Sequence, residues 1–297
     1  MSRRNPWPLR VLALAGSTLL LFGCGGTSET PPTGGTISGA VSKGPVSGAA
    51  VSAFSIGGGA MGAQLGTATS DAMGSFALSI GSHAGPVMLR MSGGAYTDEA
   101  TGTSMTMRSG DVMTAVVPSV TAGSMVSGIQ ITPLTSMAQA RAQNMAGGMT
   151  AANIATANDA VGSYFSVSDI LHTPPMDPLE PGSGVNATRD EMNYGMCIAA
   201  MSQYAGTIGM TMSSSGIVTV MMRDASDGVM NGMMDATGIS MDGMGGMMGG
   251  MMEPTAGTSG LATAMSQFIG SAMNESGVQM TDMQALIDKL SASGGAL

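Results

Sequence analysis

The sequence predicts a chain of β and α parts: an antiparallel β-sandwich followed by a small α-helical bundle. Two changes of texture carry that expectation. From Thr36, short alternating apolar runs are broken about every ten residues by Gly-rich turns, the mark of half-buried antiparallel strands. Past Ile129, apolar residues fall at three- and four-residue intervals, which is the helical period. The expected divisions are a leader at 1–23, a tether at 24–35, the sandwich at 36–127 and a helical domain at 128–297. The helical domain contains a Gly/Met-rich low-complexity insert at 230–252.

The strands can be taken in order. Residues 37–41 alternate, and Lys43-Gly44-Pro45 turns the chain. Residues 49–56 follow, with Val51, Ala53 and Phe54 as candidates for the inward face. Asp71 to Gly74 forms a turn: Asp71 closes an Asx-type bend, Gly74 supplies positive φ, and Phe76 enters the core. Residues 75–80, 87–91, 103–108 and 112–117 are the remaining candidates. Asp98 and Glu99 fall on an expected hairpin, where two adjacent carboxylates suit a solvated face.

Helices follow. Thr132 caps the first, with Pro133 at its first position. Thr150 opens a second, with Ile154, Ala157, Val161 and Phe165 on one face. A Pro-rich loop at 172–178 interrupts, and the longest helix is expected over 192–210. Residues 217–223, the run from Leu261 to Met273, and a last helix capped by Thr281 complete six.

Before all of this, Arg3, Arg4 and Arg10 precede a short apolar run, Val11 to Phe22, and then Gly23-Cys24. A dozen apolar residues fall short of the roughly 20 that cross a bilayer, so the run reads as a secretory signal peptide. Leu21-Phe22-Gly23-Cys24 resembles the lipobox of bacterial lipoproteins, which implies cleavage before Cys24 and lipidation (palmitate among the chains) of its thiol. Several acyl chains make such anchoring stable. Gly25 and Gly26, where an inner-membrane retention signal usually carries Asp, favour the outer membrane by the same resemblance.

Residues 39–54 with 66–76 resemble the carboxypeptidase-regulatory-like (transthyretin-like) sandwich, whose hallmark is a Gly-Ala-rich strand pair and then a Thr-Asp-x-x-Gly-x-Phe hairpin. Ser70 stands for the usual Thr, and Met73 for a more common Asn. The likeness covers about Thr36 to Ser127 and implies an accessory module without catalytic residues of its own. The later landmarks Thr132-Pro133-Leu134, Asn153-Ile154 and 173–178 are similar in order to bacterial lipoproteins with a helical region behind such a sandwich. That likeness implies an architecture and no assigned reaction.

Composition narrows the function classes. The net charge is −9, with only ten Lys and Arg, three of them in the leader. This leaves no basic stripe for nucleic acid. With Cys24 lipidated, Cys197 stands alone, so no intramolecular disulfide forms; its apolar neighbours suit a buried small hydrophobe. There are two histidines, His83 and His172, and no nucleophile elbow, zinc-protease helix or phosphate-cradling loop. The chain is therefore expected to be no enzyme and to need no cofactor.

Methionine is the exception, with 33 in the chain. Many occupy positions where Leu is usual, as core residues. Met241, Met244, Met247, Met248, Met251 and Met252, spaced mostly by Gly, form a set of thioethers that suits Cu(I) or Ag(I). The competing reading is a low-complexity insert without a ligand. The expectation for the whole is a non-enzymatic, lipid-anchored envelope protein. Its sandwich would act as a spacer, presenting a helical domain to a protein or envelope partner, and extracytoplasmic Cu(I)/Ag(I) binding is the alternative.

Overall fold

The computed structural model describes residues 34–210, 214–241 and 250–297. Their fold mixes β-sheets, mainly antiparallel, with six α-helices. Period-two alternation is plainest in β4 (Ser75–Gly81), where Phe76, Leu78 and Ile80 are buried and the intervening residues exposed. β4 pairs antiparallel with β1 (Gly35–Val41), whose Ile37 and Val41 are also buried. On its other side β1 pairs with β9 (Met125–Ile131), giving a three-stranded sheet in the order β4-β1-β9. The β1–β9 pairing is parallel, a departure from an all-antiparallel arrangement. β9 follows the turn after β8 (Val112–Val120) and runs along β1 rather than returning along β8.

β8 is an edge of the second sheet, in the order β3-β2-β5-β8, with β2 (Ala50–Gly57), β3 (Ala60–Thr69) and β5 (Gly85–Ser92). Val51 and Ala53 of β2 are buried as expected, while Phe54 is half-buried. A short hairpin, β6 (Ala95–Thr97) and β7 (Ser104–Thr106), stands apart from both sheets. The turn at Asp71 has the expected form. Its Oδ1 accepts from Met73 N (2.9 Å) and Ser75 N (2.8 Å), and Gly74 has φ +76°.

The helices begin directly where β9 ends. Thr132 caps α1 (Pro133–Asn144) through a capping box with Thr135. Thr150 caps α2 (Ala151–Phe165), and Thr188 with Glu191 makes a second capping box that starts α3 (Arg189–Thr207) a turn earlier than its apolar run. α4 (Gly216–Ser226), α5 (Ser259–Ile269) and α6 (Met280–Ala292) follow. Gln279, not Thr281, caps α6: its backbone carbonyl accepts from the Asp282 amide (2.9 Å) while the Asp282 carboxylate accepts from the Gln279 N–H (2.8 Å).

One hydrophobic core runs from the sheets into the helices, and the described residues form one compact unit. The division expected after residue 127 falls inside β9. α1 covers the free edge of β8: Thr114 N donates to Ser136 Oγ (2.8 Å) and Thr135 Oγ1 donates to Thr114 O (2.8 Å). Among the described residues no helix is long and apolar enough to cross a membrane.

Candidate functional site

After β1 the chain bends through Ser42 to Pro45, with Gly44 at φ +59°. This turn carries Lys43, one of two lysines in the sequence, into the interior, where its side chain has no solvent exposure. Its Nζ donates to Ser202 Oγ on α3 (2.7 Å) and to Ser214 Oγ before α4 (2.7 Å). Two carboxylates pair with it, Glu99 Oε2 at 3.5 Å and Asp98 Oδ2 at 3.8 Å, and the Tyr96 ring centroid lies at 4.8 Å. The serines close the set. Ser202 donates to Glu99 Oε2 (2.5 Å), Ser214 donates to Asp98 Oδ2, and Tyr96 Oη lies 3.0 Å from Ser214 Oγ.

Asp98 and Glu99 are therefore not on a solvated face; both are buried. The hairpin β6–β7 holds them through a tight turn, in which Asp98 Oδ1 accepts from Thr101 N (3.1 Å) and Oγ1 (2.9 Å). Their partners come from α3 and from the start of α4, more than a hundred residues later, so nothing local in the sequence marks them. The one available signal is scarcity: in a chain that is a tenth charged, a lone Lys in an apolar turn has few reasons to be there.

The cluster sets one cation against two carboxylates. Burial pushes the Glu99 carboxyl up from its ordinary value; Lys43 and the Ser202 hydroxyl pull it back only in part. Among the described residues nothing pairs with Glu99 Oε1. Serine next to lysine is a pairing used for nucleophilic catalysis, where a neutral Lys takes the serine proton. Here each serine hydroxyl is donated to a carboxylate, and Lys43 Nζ donates to both serine oxygens instead of accepting from them. The geometry holds charge in place; it does not activate a hydroxyl.

A further buried carboxylate, Asp224 near the end of α4, accepts at Oδ1 from Asn231 N (2.9 Å) and Gly232 N (2.7 Å). Burial pushes its pKa up to about 6, against the lowering effect of those amides. Asp227 accepts from Val229 N (2.9 Å) and Asp235 N (2.8 Å). These carboxylates shape a loop. Among the described residues no three of His, Cys, Asp and Glu gather as a metal site.

The lipidation residue Cys24 lies outside the described residues, as do Met244, Met247 and Met248. Of the other insert methionines, Met241 is partly buried and Met251 is 54% exposed. The two sit at the edges of 242–249 and are held together: Met241 N donates to Gly250 O (2.8 Å), and Ser240 bridges Met251. Met252 is buried in the core. Met230 is buried too, while Met233 and Met234 on β10 (Met233–Met234), paired with β11 (Thr237–Gly238), stay exposed. Cys197 is fully buried and its thiol is pushed far up, as befits an inert core residue. His172 is half-exposed, with Nδ1 2.7 Å from Asp169 Oδ2.

Compared with models of protein families and with curated proteins, the chain matches none.

Proposed function

We propose that this chain is a non-enzymatic, lipid-anchored protein of the bacterial envelope. Fatty chains on Cys24 moor it, at the outer membrane, and the β-rich region acts as a rigid spacer that presents the helices to a protein or envelope partner. The observation that carries this reading is the sealed Lys43 cluster. The residue types that would do nucleophilic work are spent on one another, and they fasten the β1–β2 turn to α3 and to the start of α4. A spacer needs that kind of rigid coupling, and a hydrolase would need its serine open to substrate.

The β-rich region is proposed to be a carboxypeptidase-regulatory-like sandwich. In support, β1 and β4 bury Ile37, Phe76 and Leu78 while β2 and β5 bury Val51, Ala53 and Leu89, all in one core. Protein purified from its native host is expected to be acylated at Cys24 by mass spectrometry and inert in a broad hydrolase screen. Turnover that disappears in Ser202→Ala, or an unprocessed and unacylated leader, would overturn the proposal.

A second reading is Cu(I) or Ag(I) binding by the insert. The backbone pairing of Ser240 with Met251 and of Met241 N with Gly250 O favours it, since bringing the flanks of 242–249 together lowers the entropic cost of gathering soft ligands. Cu(I) titration against a competing chelator is expected to show binding that vanishes when 242–249 is deleted and Met241 and Met251 become Leu. Unchanged binding in that variant would end this reading.

A further inference from the structure

The hairpin β10–β11 and the chain that follows it fold a small face out of sequence rich in Gly and Met. Met233 lies directly opposite Gly238, and Ser240 directly opposite Met251. Ile239 N donates to Gly232 O (3.1 Å), Met252 N to Ile239 O (2.8 Å) and Met241 N to Gly250 O (2.8 Å). These bonds flank the two pairs and leave both in the non-hydrogen-bonded setting, where facing side chains stand closest. Period-two alternation puts residues 238 and 240 on one side of their strand, and the partners Met233 and Met251 with them. Burial agrees. Ile239 and Met252, on the other side, are each 3% exposed, whereas Met233 is 37% and Met251 54% exposed.

Gly238 decides what these two methionines can do. A Cβ built there would lie 2.4 Å from Met251 Cε, so the end of the Met251 side chain fills the space that would otherwise face Met233. Facing Cβ positions in such a pair are about 4.5–5.5 Å apart, a gap that the unbranched, flexible Met233 side chain spans to bring its Sδ to that of Met251. Thioether sulfur is a soft, uncharged donor that selects Cu(I) or Ag(I) over harder ions. The charge around the face also suits a cation. The sequence has no Lys or Arg between Arg223 and Lys289, and the exposed carboxylates Asp235 and Glu253 stand two residues from Met233 and Met251. Met234 alternates to the other side of β10, so it is outside the pair although it is 43% exposed.

We propose that Met233 and Met251 form a two-thioether site for a soft monovalent cation, with Gly238 as the gap that lets the sulfurs meet. This rests on the second reading above, soft-metal binding by the Met-rich stretch, and it adds Met233 on the folded hairpin as a ligand. The test is titration of the full chain, isotopically labelled at its methionine methyls, with silver(I) nitrate in chloride-free buffer, followed by NMR; zinc(II) is the comparison. Single Met→Leu variants assign the signals. Silver is expected to shift the Met233 and Met251 methyls together and saturably, and zinc to leave both in place. Met233→Leu is expected to weaken silver binding at Met251 about tenfold or more, since loss of a group that merely supports a ligand already costs about 10–100-fold. Met234→Leu removes a similarly exposed thioether from the other side and is expected to leave that affinity unchanged. Both substitutions lie on the surface, where such changes keep the fold. A Met251 shift that survives Met233→Leu at undiminished affinity would overturn the inference and leave the second reading standing, with its ligands elsewhere in the stretch. Equal losses in Met233→Leu and Met234→Leu would overturn it in the same way. A wild-type chain in which silver shifts no methionine methyl would overturn both.

Discussion

At the scale of single residues, Lys43 is the side chain on which most depends. Removing one partner of a buried charged set leaves the others uncompensated, a loss of about 3–5 kcal/mol. Lys43→Met strands two carboxylates and two serines and is expected to destabilise by that amount in urea unfolding. Adding Asp98→Asn and Glu99→Gln to it is expected to restore a large part, since the charges are then gone with their partner. A Lys43→Met loss under about 1 kcal/mol would mean that the cluster contributes little to the fold. This set was illegible in the sequence, for a physical reason. Lys43, Asp98, Glu99, Ser202 and Ser214 meet only through tertiary packing, and two adjacent carboxylates on a hairpin look the same whether solvent or a lysine faces them. Asp71 and Gly74 were legible because their partners lie within four residues.

Asp224 adds a pH dependence whose sign is fixed by its raised pKa. In the folded chain it holds its proton up to about pH 6, against 3.8 unfolded, so the native state binds more protons between those values. The stability it contributes is fully present below pH 3.8 and is lost as pH rises through about 6. Glu99, also raised by burial, acts with the same sign. Asp224→Asn retains an oxygen for the Asn231 and Gly232 amides and cannot ionise. It is expected to make the fall of the thermal midpoint between about pH 4 and 6.5 shallower than in the wild type. Parallel curves would show that Asp224 titrates alike in both states.

At the scale of elements, most helix starts were legible, because a cap is a local device. Thr132 with Pro133, and Thr150, mark α1 and α2 within one turn. The start of α6 misled, because Thr281 has the favoured chemistry, while Gln279 is reached by reciprocal bonds with Asp282. The parallel partner of β9 was equally hidden, since pairing direction leaves no trace in alternation. Gly195, in the middle of α3, poses a sharper question. Helix propensity alone says that Gly195→Ala should stabilise by about 1 kcal/mol. The new Cβ would instead meet Met176 O at 2.0 Å, in a loop whose Met176 N is tied to Glu191 O (3.0 Å) and which cannot yield freely. Overpacking at about 1–3 kcal/mol outweighs propensity, so Gly195→Ala is expected to lower stability in thermal melts. A raised midpoint would mean that the 175–178 loop moves aside at no cost.

At the scale of the whole molecule, the question is whether strands and helices fold as one. A sandwich and a bundle joined by a linker would open separately, each with its own stability. The links between them are dense. Thr132 caps α1 one residue after β9 ends, the first turn of α1 bonds the β8 backbone at Thr114, and Lys43 is held from α3. Sheet residues such as Met113 and helix residues such as Met137 are fully buried in one core, which is also where much of the methionine goes, replacing Leu at small cost. Opening the helices alone would expose the inner edge of β8 and strand Lys43 with its two carboxylates, penalties that separate domains never meet. The expected outcome is therefore a single cooperative unfolding transition. In native-state hydrogen exchange, amides of β2 and β5 should reach the same limiting protection as those of α3, and thiol labelling of buried Cys197 should track the same free energy. Two plateaus, with the strands outlasting the helices, would mean that the Lys43 cluster and the α1–β8 contacts are too weak to couple the halves.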